Sequence, residues 1–187
     1  MDAIKGFLFY PVYAVATYLR FVAGVSLVLV PSLFRIIFKG PKSLKKFTAL
    51  FEFLSAYPLG VHVFSGIVCY FAPYTASIGS TVRELVPGKC IVTMPDLPWL
   101  QNPFNSLHAI ALSNLGEFAS GTCMLSAMQH APKGDRYKGI VKSISTEYFK
   151  KARGTIRAEG VASIEGIVEN CDKEVHAYLY DETDTLV

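Results

Sequence analysis

The chain has 187 residues, of which 51% are hydrophobic and 18% charged, whereas a typical soluble domain is roughly 25% charged. This composition excludes an intrinsically disordered protein, and the lack of a Gly triplet or heptad repeat excludes collagen-like and coiled-coil structures. The net charge of +3 is unevenly divided, because residues 1–75 carry seven basic and two acidic side chains while residues 76–187 carry eleven and thirteen. The basic part is also the more apolar part, which favours contact with anionic lipid over nucleic acid.

The N-terminal segment, residues 1–46, is predicted to associate with a membrane. Residues 7–34 are uncharged except for Arg20, and as one helix they would be about 40 Å long, more than the ~30 Å hydrocarbon core requires. Arg20 near mid-bilayer would cost roughly 2.5–3.5 kcal/mol, and Pro11 and Pro31 would kink or end the helix. The alternatives are therefore a transmembrane helix with Arg20 paired, a helix lying in the membrane interface, and a helix packed on a soluble core. A basic flank follows at Lys39, Lys42, Lys45 and Lys46.

Residues 47–75 are predicted to form a helical packing segment. This stretch is apolar and holds one charged residue, Glu52, and Pro58-Leu-Gly60 should break it into two short helices. Helices this short pack against a core and do not form a second membrane span.

Residues 76–187 are predicted to form an α+β domain. Residues 76–85 and 89–94 alternate between apolar and polar around Pro87-Gly88, which is typical of a β-hairpin. Residues 107–129 show the longest helical pattern. This order predicts one central helix packed against an antiparallel sheet. Three further strands are predicted at residues 138–149, 154–162 and 175–180.

The cysteines and histidines are too scattered for a metal centre or a disulfide framework, so we expect no metal. The cysteines are expected to be small buried hydrophobic residues in a reducing compartment. They are Cys69, Cys90, Cys123 and Cys171, and the histidines are His62, His108, His130 and His176.

Several short motifs follow one another in order between Ala72-Pro-Tyr-Thr75 and Ala162. They are Ser106-Leu-His-Ala-Ile-Ala-Leu112, Asn114-Leu-Gly-Glu117, Ala119-Ser-Gly121 and Glu147-Tyr-Phe-Lys-Lys-Ala-Arg-Gly154. Together they resemble the hotdog-fold thioesterase superfamily, and most closely its poorly characterised branch near the phenylacetyl-CoA-type thioesterases. The resemblance implies a hotdog fold, in which an antiparallel sheet wraps around one long helix, and a homodimer with active sites at the interface.

The resemblance also implies catalytic residues. Asn102, His108 and Glu117 match the order of an Asn before the helix, a His at its entrance and a carboxylate on the helix itself. In such enzymes a backbone N–H, here near His108 and Ala109, polarises the thioester carbonyl. The carboxylate activates water or attacks the carbonyl, and the Asn positions the reacting groups. A CoA phosphate would be bound by the nearby basic side chains Lys150, Lys151 and Arg153.

Helix geometry supports a two-chain site independently. A helix N-terminus presents free N–H groups and a positive potential that suit a developing oxyanion. His108 and Glu117 are nine residues apart, about 900° of helical turn, so they face opposite sides of one helix. The structural alternatives are a solvated carboxylate for Glu117, a helix-entrance residue for His108 and a turn residue for Asn102.

The sequence departs from the family pattern at three places. Gln101 and Pro103 flank Asn102, where bacterial relatives tend to have a basic residue and a His. Val141 stands where a Ser or Thr is expected, and the last strand is expected to be incomplete at Thr185-Leu-Val187. An incomplete edge strand would leave a sheet edge for a different partner.

Two functions are consistent with these features. The first is a membrane-associated thioesterase-like protein that hydrolyses or binds acyl-CoA, with acyl-CoA as substrate and no bound cofactor. The alternative is a catalytically inactive accessory subunit of a membrane complex, for which the mitochondrial inner membrane is the expected location. The expected partners are membrane lipid and either a second copy of the chain or other subunits of such a complex.

Overall fold

The computed structural model describes residues 46–132 and 137–187. The predicted apolar helix of the N-terminal extension lies outside these residues. Among the residues described, no helix is both long enough and apolar enough to span a bilayer. The helices are α1 (Phe47–Ser55), α2 (Gly60–Phe71), α3 (Pro73–Ala76) and α4 (Ala109–His130), and the strands are β1 (Thr81–Val86), β2 (Lys89–Met94), β3 (Ile156–Val161) and β4 (His176–Tyr180).

The strands form one antiparallel sheet in the order β1-β2-β3-β4. The β1–β2 hairpin turns at Pro87-Gly88 as predicted, and Gly88 has a φ of 78°, which glycine adopts without Cβ strain. Val82, Val92 and Ala158 lie side by side across the first three strands and are fully buried. This row marks the inner face of the sheet.

Helix α4 packs on that inner face and contacts all four strands, as the α+β prediction requires. The helix and sheet approach most closely at Gly160, where a Cβ atom would lie 2.4 Å from the carbonyl oxygen of Ala119. Gly116 gives a second close approach, since a Cβ there would lie 3.6 Å from a methyl carbon of Leu179. The predicted helix packed against an antiparallel sheet is therefore confirmed.

Helices α1 and α2 form a hairpin that caps the sheet near β1. The rings of Phe47 and Phe51 each lie 5.1 Å from that of Phe64, which is fully buried. The Ser65 hydroxyl accepts a 2.8 Å hydrogen bond from the backbone N–H of Val82 in β1. The predicted break is also confirmed: a Cβ at Gly60 would overlap the backbone of α1, so only glycine fits there.

The predicted strand at residues 138–149 is wrong. These residues pair with no described strand and their side chains are exposed. They run along the outer side of α4 instead: a Cβ at Gly139 would lie 3.5 Å from the sulfur of Met128, and Tyr148 Oη lies 2.6 Å from Ser113 Oγ. Polar side chains thus attach this segment to the helix, although its alternating pattern suits a sheet.

The outer side of β4 is partly paired by the residues that follow it. The Asp181 carboxylate accepts hydrogen bonds from the N–H groups of Thr183 (2.9 Å) and Thr185 (3.1 Å) and so shapes a tight turn. Beyond the turn, the N–H of Val187 donates to the Leu179 carbonyl at 3.0 Å. The C-terminal residues therefore pair with part of the β4 edge, and residues 138–149 do not.

The four cysteines are unpaired. Cys90 and Cys123 are fully buried as predicted, whereas Cys69 and Cys171 are only half-buried, which corrects the prediction for those two. Burial raises the pKa of the Cys69 and Cys123 thiols to about 11. These two thiols are therefore neutral at physiological pH, which suits packing and not nucleophilic chemistry.

Candidate active site

A cavity of about 340 Å³ opens at the N-terminal end of α4. One wall is the loop and first turn leading into the helix, and the other is the chain just before β3. Four predicted site residues line it, namely Asn102, Ala109, Lys150 and Lys151. A larger, mostly apolar cavity of about 530 Å³ lies beside Pro132, Tyr137 and residues 164–168 but includes none of the predicted site residues. The smaller cavity is therefore the candidate active site.

Asn102 shapes the loop that leads into α4. Its side-chain oxygen accepts a 2.9 Å hydrogen bond from the N–H of Phe104, and its amide nitrogen donates to Ser106 Oγ at 3.0 Å. Its backbone N–H donates to the Ser106 carbonyl at 2.8 Å. Asn102 thus fixes one cavity wall, and its amide is already engaged within its own loop.

His108 is the N-cap residue of α4. Its backbone N–H donates to the Leu100 carbonyl at 2.7 Å, which anchors the helix entrance to the preceding turn. Its Nδ1 accepts a 3.1 Å hydrogen bond from the N–H of Ile110. The ring is exposed and does not line the cavity. His108 therefore satisfies a free helix N–H in the way that N-cap side chains do.

The backbone N–H of Ala109 is the free donor at this helix entrance. The next two N–H groups, of Ile110 and Ala111, are bonded to the His108 ring and carbonyl. No hydrogen-bond acceptor for the Ala109 N–H is found among residues 46–132 and 137–187. Because Ala109 lines the cavity, this donor, at the positive end of a 22-residue helix, suits a carbonyl or oxyanion.

The basic residues of the second wall have different surroundings. Lys150 forms a 2.5 Å ion pair with Asp181, and this ammonium, with help from Thr183 and Thr185, holds the pKa of the Asp181 carboxyl well below its usual range. Arg153 Nε donates to the Asn105 carbonyl at 2.7 Å and braces the opposite loop. Lys151 Nζ lies 5.8 Å from the centre of the exposed Phe104 ring. Within the described chain Lys151 has no carboxylate partner, so it is the cation best placed to meet a phosphate.

Glu117 lies away from the cavity. It is half-buried and sits about 160° around the helix from both Leu115 and Ala119, the residues that face the sheet. It shares the outer side of α4 with Ala109 but is eight residues further along, a rise of about 12 Å. One chain therefore does not place the Glu117 carboxylate and the Ala109 N–H on the same carbonyl group.

Tyr148 is a site residue that the sequence pattern does not single out. Its hydroxyl donates to the Ala109 carbonyl at 3.0 Å and contacts Ser113 Oγ, while the residue itself lines the cavity. Ser113 Oγ also lies 3.4 Å from Thr146 Oγ1 in the same segment. Tyr148 lies in the 147–154 motif. Because residues 138–149 are predicted as a strand, its contact with the helix is not predicted.

The family described as "Domain of unknown function (DUF4442)" matches residues 60–187. The chain belongs to this family. The match begins at α2 and includes the sheet, α4 and the candidate active site. No curated protein matches the chain significantly.

Solved structures show that this DUF4442 chain has the fold of the hotdog thioesterase superfamily, which confirms the resemblance. A structural-genomics crystal structure is 29% identical with a TM-score of 0.62, covering 75% of this chain and 90% of that one. A Pseudomonas aeruginosa protein described as a probable thioesterase is 24% identical, with a TM-score of 0.57 and coverages of 65% and 84%. A phenylacetic acid degradation protein from Thermus thermophilus is 17% identical, with a TM-score of 0.51 and coverages of 62% and 90%.

Proposed function

We propose that this protein hydrolyses acyl-CoA thioesters and does so as a homodimer. The observation that carries the proposal is the cavity at the N-terminus of α4, lined by Ala109, whose backbone N–H has no described partner. A thioester carbonyl bound there would receive a hydrogen bond that strengthens as negative charge develops on its oxygen. Lys151 at the cavity wall would attract the CoA phosphates.

The hydrolysis requires a base close to that carbonyl, and Glu117 of the second copy supplies it. Its carboxylate takes a proton from water as the water oxygen bonds to the carbonyl carbon, and the resulting oxyanion is held by the Ala109 N–H. The C–S bond then breaks, and Glu117 returns the proton to the departing CoA thiolate. A carboxylic acid and free CoA result. The rise of about 12 Å between Ala109 and Glu117 within one chain requires the two groups to come from different copies.

Exposed apolar residues on the outer side of α4 support contact with a second copy of the chain there. Around Glu117 this side exposes Ile110 and Leu125, which are 55% and 39% accessible. The segment beside it exposes Ile140 at 86% and Val141 at 63%, and no described strand pairs with its backbone. Exposed apolar residues grouped in this way mark protein–protein contact sites. A two-fold contact here would cover them and bring Glu117 to the interface.

Steady-state hydrolysis of a series of acyl-CoA esters, followed by thiol release, tests the proposal. The intact protein should hydrolyse at least one chain-length class, and Glu117→Gln should lower kcat by about 10²–10⁴-fold because it removes the base. Glu165→Gln, an exposed carboxylate lining the other cavity, is the matched control and should keep full activity. Equal rates for the two variants would exclude Glu117 as the base.

A second function is favoured by the bonding of two site residues. The Asn102 amide is engaged within its own loop and Lys150 is paired with Asp181, so neither is free for a substrate in one chain. This suits a catalytically inactive accessory subunit of a membrane complex, with the mitochondrial inner membrane as its proposed location. A folded, dimeric wild-type protein that hydrolyses no acyl-CoA ester would favour this function over catalysis.

The proposal also includes membrane association through the N-terminal segment. Its support is the sequence: residues 7–34 contain one charge, Arg20, and four lysines follow between positions 39 and 46. An apolar stretch with a basic flank is typical of segments that bind anionic lipid. Membrane lipid is therefore a proposed partner alongside the second copy.

A further inference from the structure

The helical hairpin α1–α2 and the short helix α3 expose an unusual surface. Residues 47–82 contain a single charged residue, Glu52, whereas soluble domains are roughly 25% charged. The same stretch exposes large apolar side chains, with Phe71 at 75%, Leu59 at 72% and Tyr74 at 69% accessibility. We call this set, with Phe53, Tyr57 and Tyr70, the aromatic surface.

The side chains of the aromatic surface are separate from the packing of the hairpin. Its internal contacts are made by Phe51 and Phe64, which are buried. The exposed rings instead pair with each other: Phe53 and Tyr57 lie 5.5 Å apart at the end of α1, and Tyr70 and Phe71 lie 5.4 Å apart at the end of α2. The described packing of the hairpin therefore leaves these rings exposed and available for contact with another body.

We infer that the aromatic surface lies on a lipid bilayer, with its rings in the interfacial region and its edge against anionic headgroups. Three of its members are tyrosines, whose apolar ring and polar hydroxyl suit the membrane–water boundary. With Glu52 as the one charged residue between positions 47 and 82, the desolvation cost of entering that boundary is low.

The basic residues just before α1 indicate that the aromatic surface contacts lipid. Lys46 is exposed and directly precedes α1, and it is the last of four lysines that begin at Lys39. An exposed cation at the start of a hairpin that carries one acidic side chain complements an anionic membrane. A second copy is assigned elsewhere, to the outer side of α4.

Two described hydrogen bonds link the chain just after the aromatic surface to the entrance of α4. Beyond Tyr74, the Ser77 carbonyl accepts a 3.2 Å hydrogen bond from Trp99 Nε1. The neighbouring Leu100 carbonyl accepts the N–H of His108 at the entrance of α4. A bilayer under Tyr74 would thus lie close to the loop that forms one wall of the cavity. The membrane contact itself does not depend on the proposed hydrolysis.

Bromolipid quenching tests the inference on the full chain. Phe71→Trp and, as a control, Val168→Trp each place a tryptophan at an exposed apolar position, the control lying outside the aromatic surface. Each protein is synthesised in the presence of phosphatidylcholine–phosphatidylserine vesicles and floated with them, and the quenching of native Trp99 is subtracted using wild type. The tryptophan at position 71 should be quenched by bromines on the upper acyl chain, since interfacial residues sit about 5–10 Å into the boundary. The tryptophan at 168 should not be quenched.

A second measurement avoids any effect of the new tryptophan on folding. The double variant Phe71→Ser/Tyr74→Ser should lower vesicle partitioning of the full chain about tenfold or more through lost apolar burial. Val161→Ser/Val168→Ser should leave partitioning unchanged. Quenching at position 71 no greater than at 168, or failure of the wild type to float with vesicles, would overturn the inference. Neither result depends on thioesterase activity, so the proposed function is tested separately.

Discussion

Replacing Ala109 by proline removes the proposed oxyanion donor and little else. Ala109 is the first residue of α4, the position at which proline is favoured because its fixed φ suits the helix and its missing N–H has no intrahelical partner. The preceding residue, His108, already has φ −67° and ψ 135°, the extended conformation that a following proline requires. Since the Ala109 N–H has no acceptor among the described residues, Ala109→Pro breaks no described hydrogen bond.

The expected effects on stability and on rate are therefore very different. The midpoint of thermal unfolding should stay within a few degrees of wild type, since proline at this position is compatible with the helix. Loss of one oxyanion donor costs about 10²–10³-fold in kcat, equivalent to ~2.7–4 kcal/mol of transition-state stabilisation. The assay is acyl-CoA hydrolysis under saturating substrate, with circular dichroism melting on the same preparation.

Ala109→Ser is the control, because it changes the side chain at the cavity wall but keeps the backbone N–H. It should retain kcat within about threefold of wild type, a difference of less than 1 kcal/mol. A folded Ala109→Pro variant that is as active as Ala109→Ser would refute the role of the Ala109 N–H. That role is also refuted if both variants lose activity equally, because the side-chain volume at this wall would then explain the loss.

Three further changes test other parts of the structure. Gly160→Ala should destabilise the fold by about 1–3 kcal/mol in a urea titration, since its Cβ would meet the Ala119 carbonyl. Gly121→Ala, on the exposed side of α4, is the control and should be neutral or stabilising in the same titration. Tyr148→Phe removes the hydroxyl bonded to the Ala109 carbonyl and should raise KM several-fold with kcat retained, as expected for loss of a hydrogen bond worth about 0.5–1.5 kcal/mol; an unchanged KM would show that this contact does not position the wall. Deleting residues 1–46 should move the protein from the membrane pellet to the supernatant, and a deleted chain that still sediments with membranes would count against the N-terminal segment as the main anchor.

Local patterns predicted those parts of the fold that local chemistry determines. The β1–β2 turn follows from Pro87-Gly88, and the hairpin break follows from Pro58-Leu-Gly60. The ends of helix α4 are predicted within two residues, because small and apolar residues make up most of its length. The quoted motifs, taken in order, identified the hotdog arrangement of these elements.

Features that depend on distant contacts could not be predicted in this way. Residues 138–149 alternate as a strand would, but nothing in that alternation shows that Tyr148 bonds Ser113 and Ala109 on the helix. The close approach of Gly160 to Ala119 likewise depends on the register of β3 against α4. Strand pairing and helix packing are chosen by tertiary context, which sequence periodicity does not contain.

The candidate site is predictable only where its residues are close together in sequence. Asn102 and Ala109 line one cavity because the loop and the helix entrance are adjacent in sequence. Lys150 and Lys151 reach that cavity from a distant segment, and the pairing of Asp181 with Lys150 depends on a contact between segments far apart in the chain. The separation of Glu117 from the helix entrance follows from helix geometry alone, and it makes the second copy the central requirement of the mechanism.

A heterodimer of two inactive variants tests that requirement most directly. Chains carrying Ala109→Pro and Glu117→Gln are co-expressed with different affinity tags, and dimers holding both tags are purified. Each homodimer should be inactive, whereas the heterodimer should show about half of the wild-type kcat per dimer, because two-fold symmetry leaves one site with both an intact N–H and an intact carboxylate. A folded heterodimer as inactive as both homodimers would contradict a site shared between two copies.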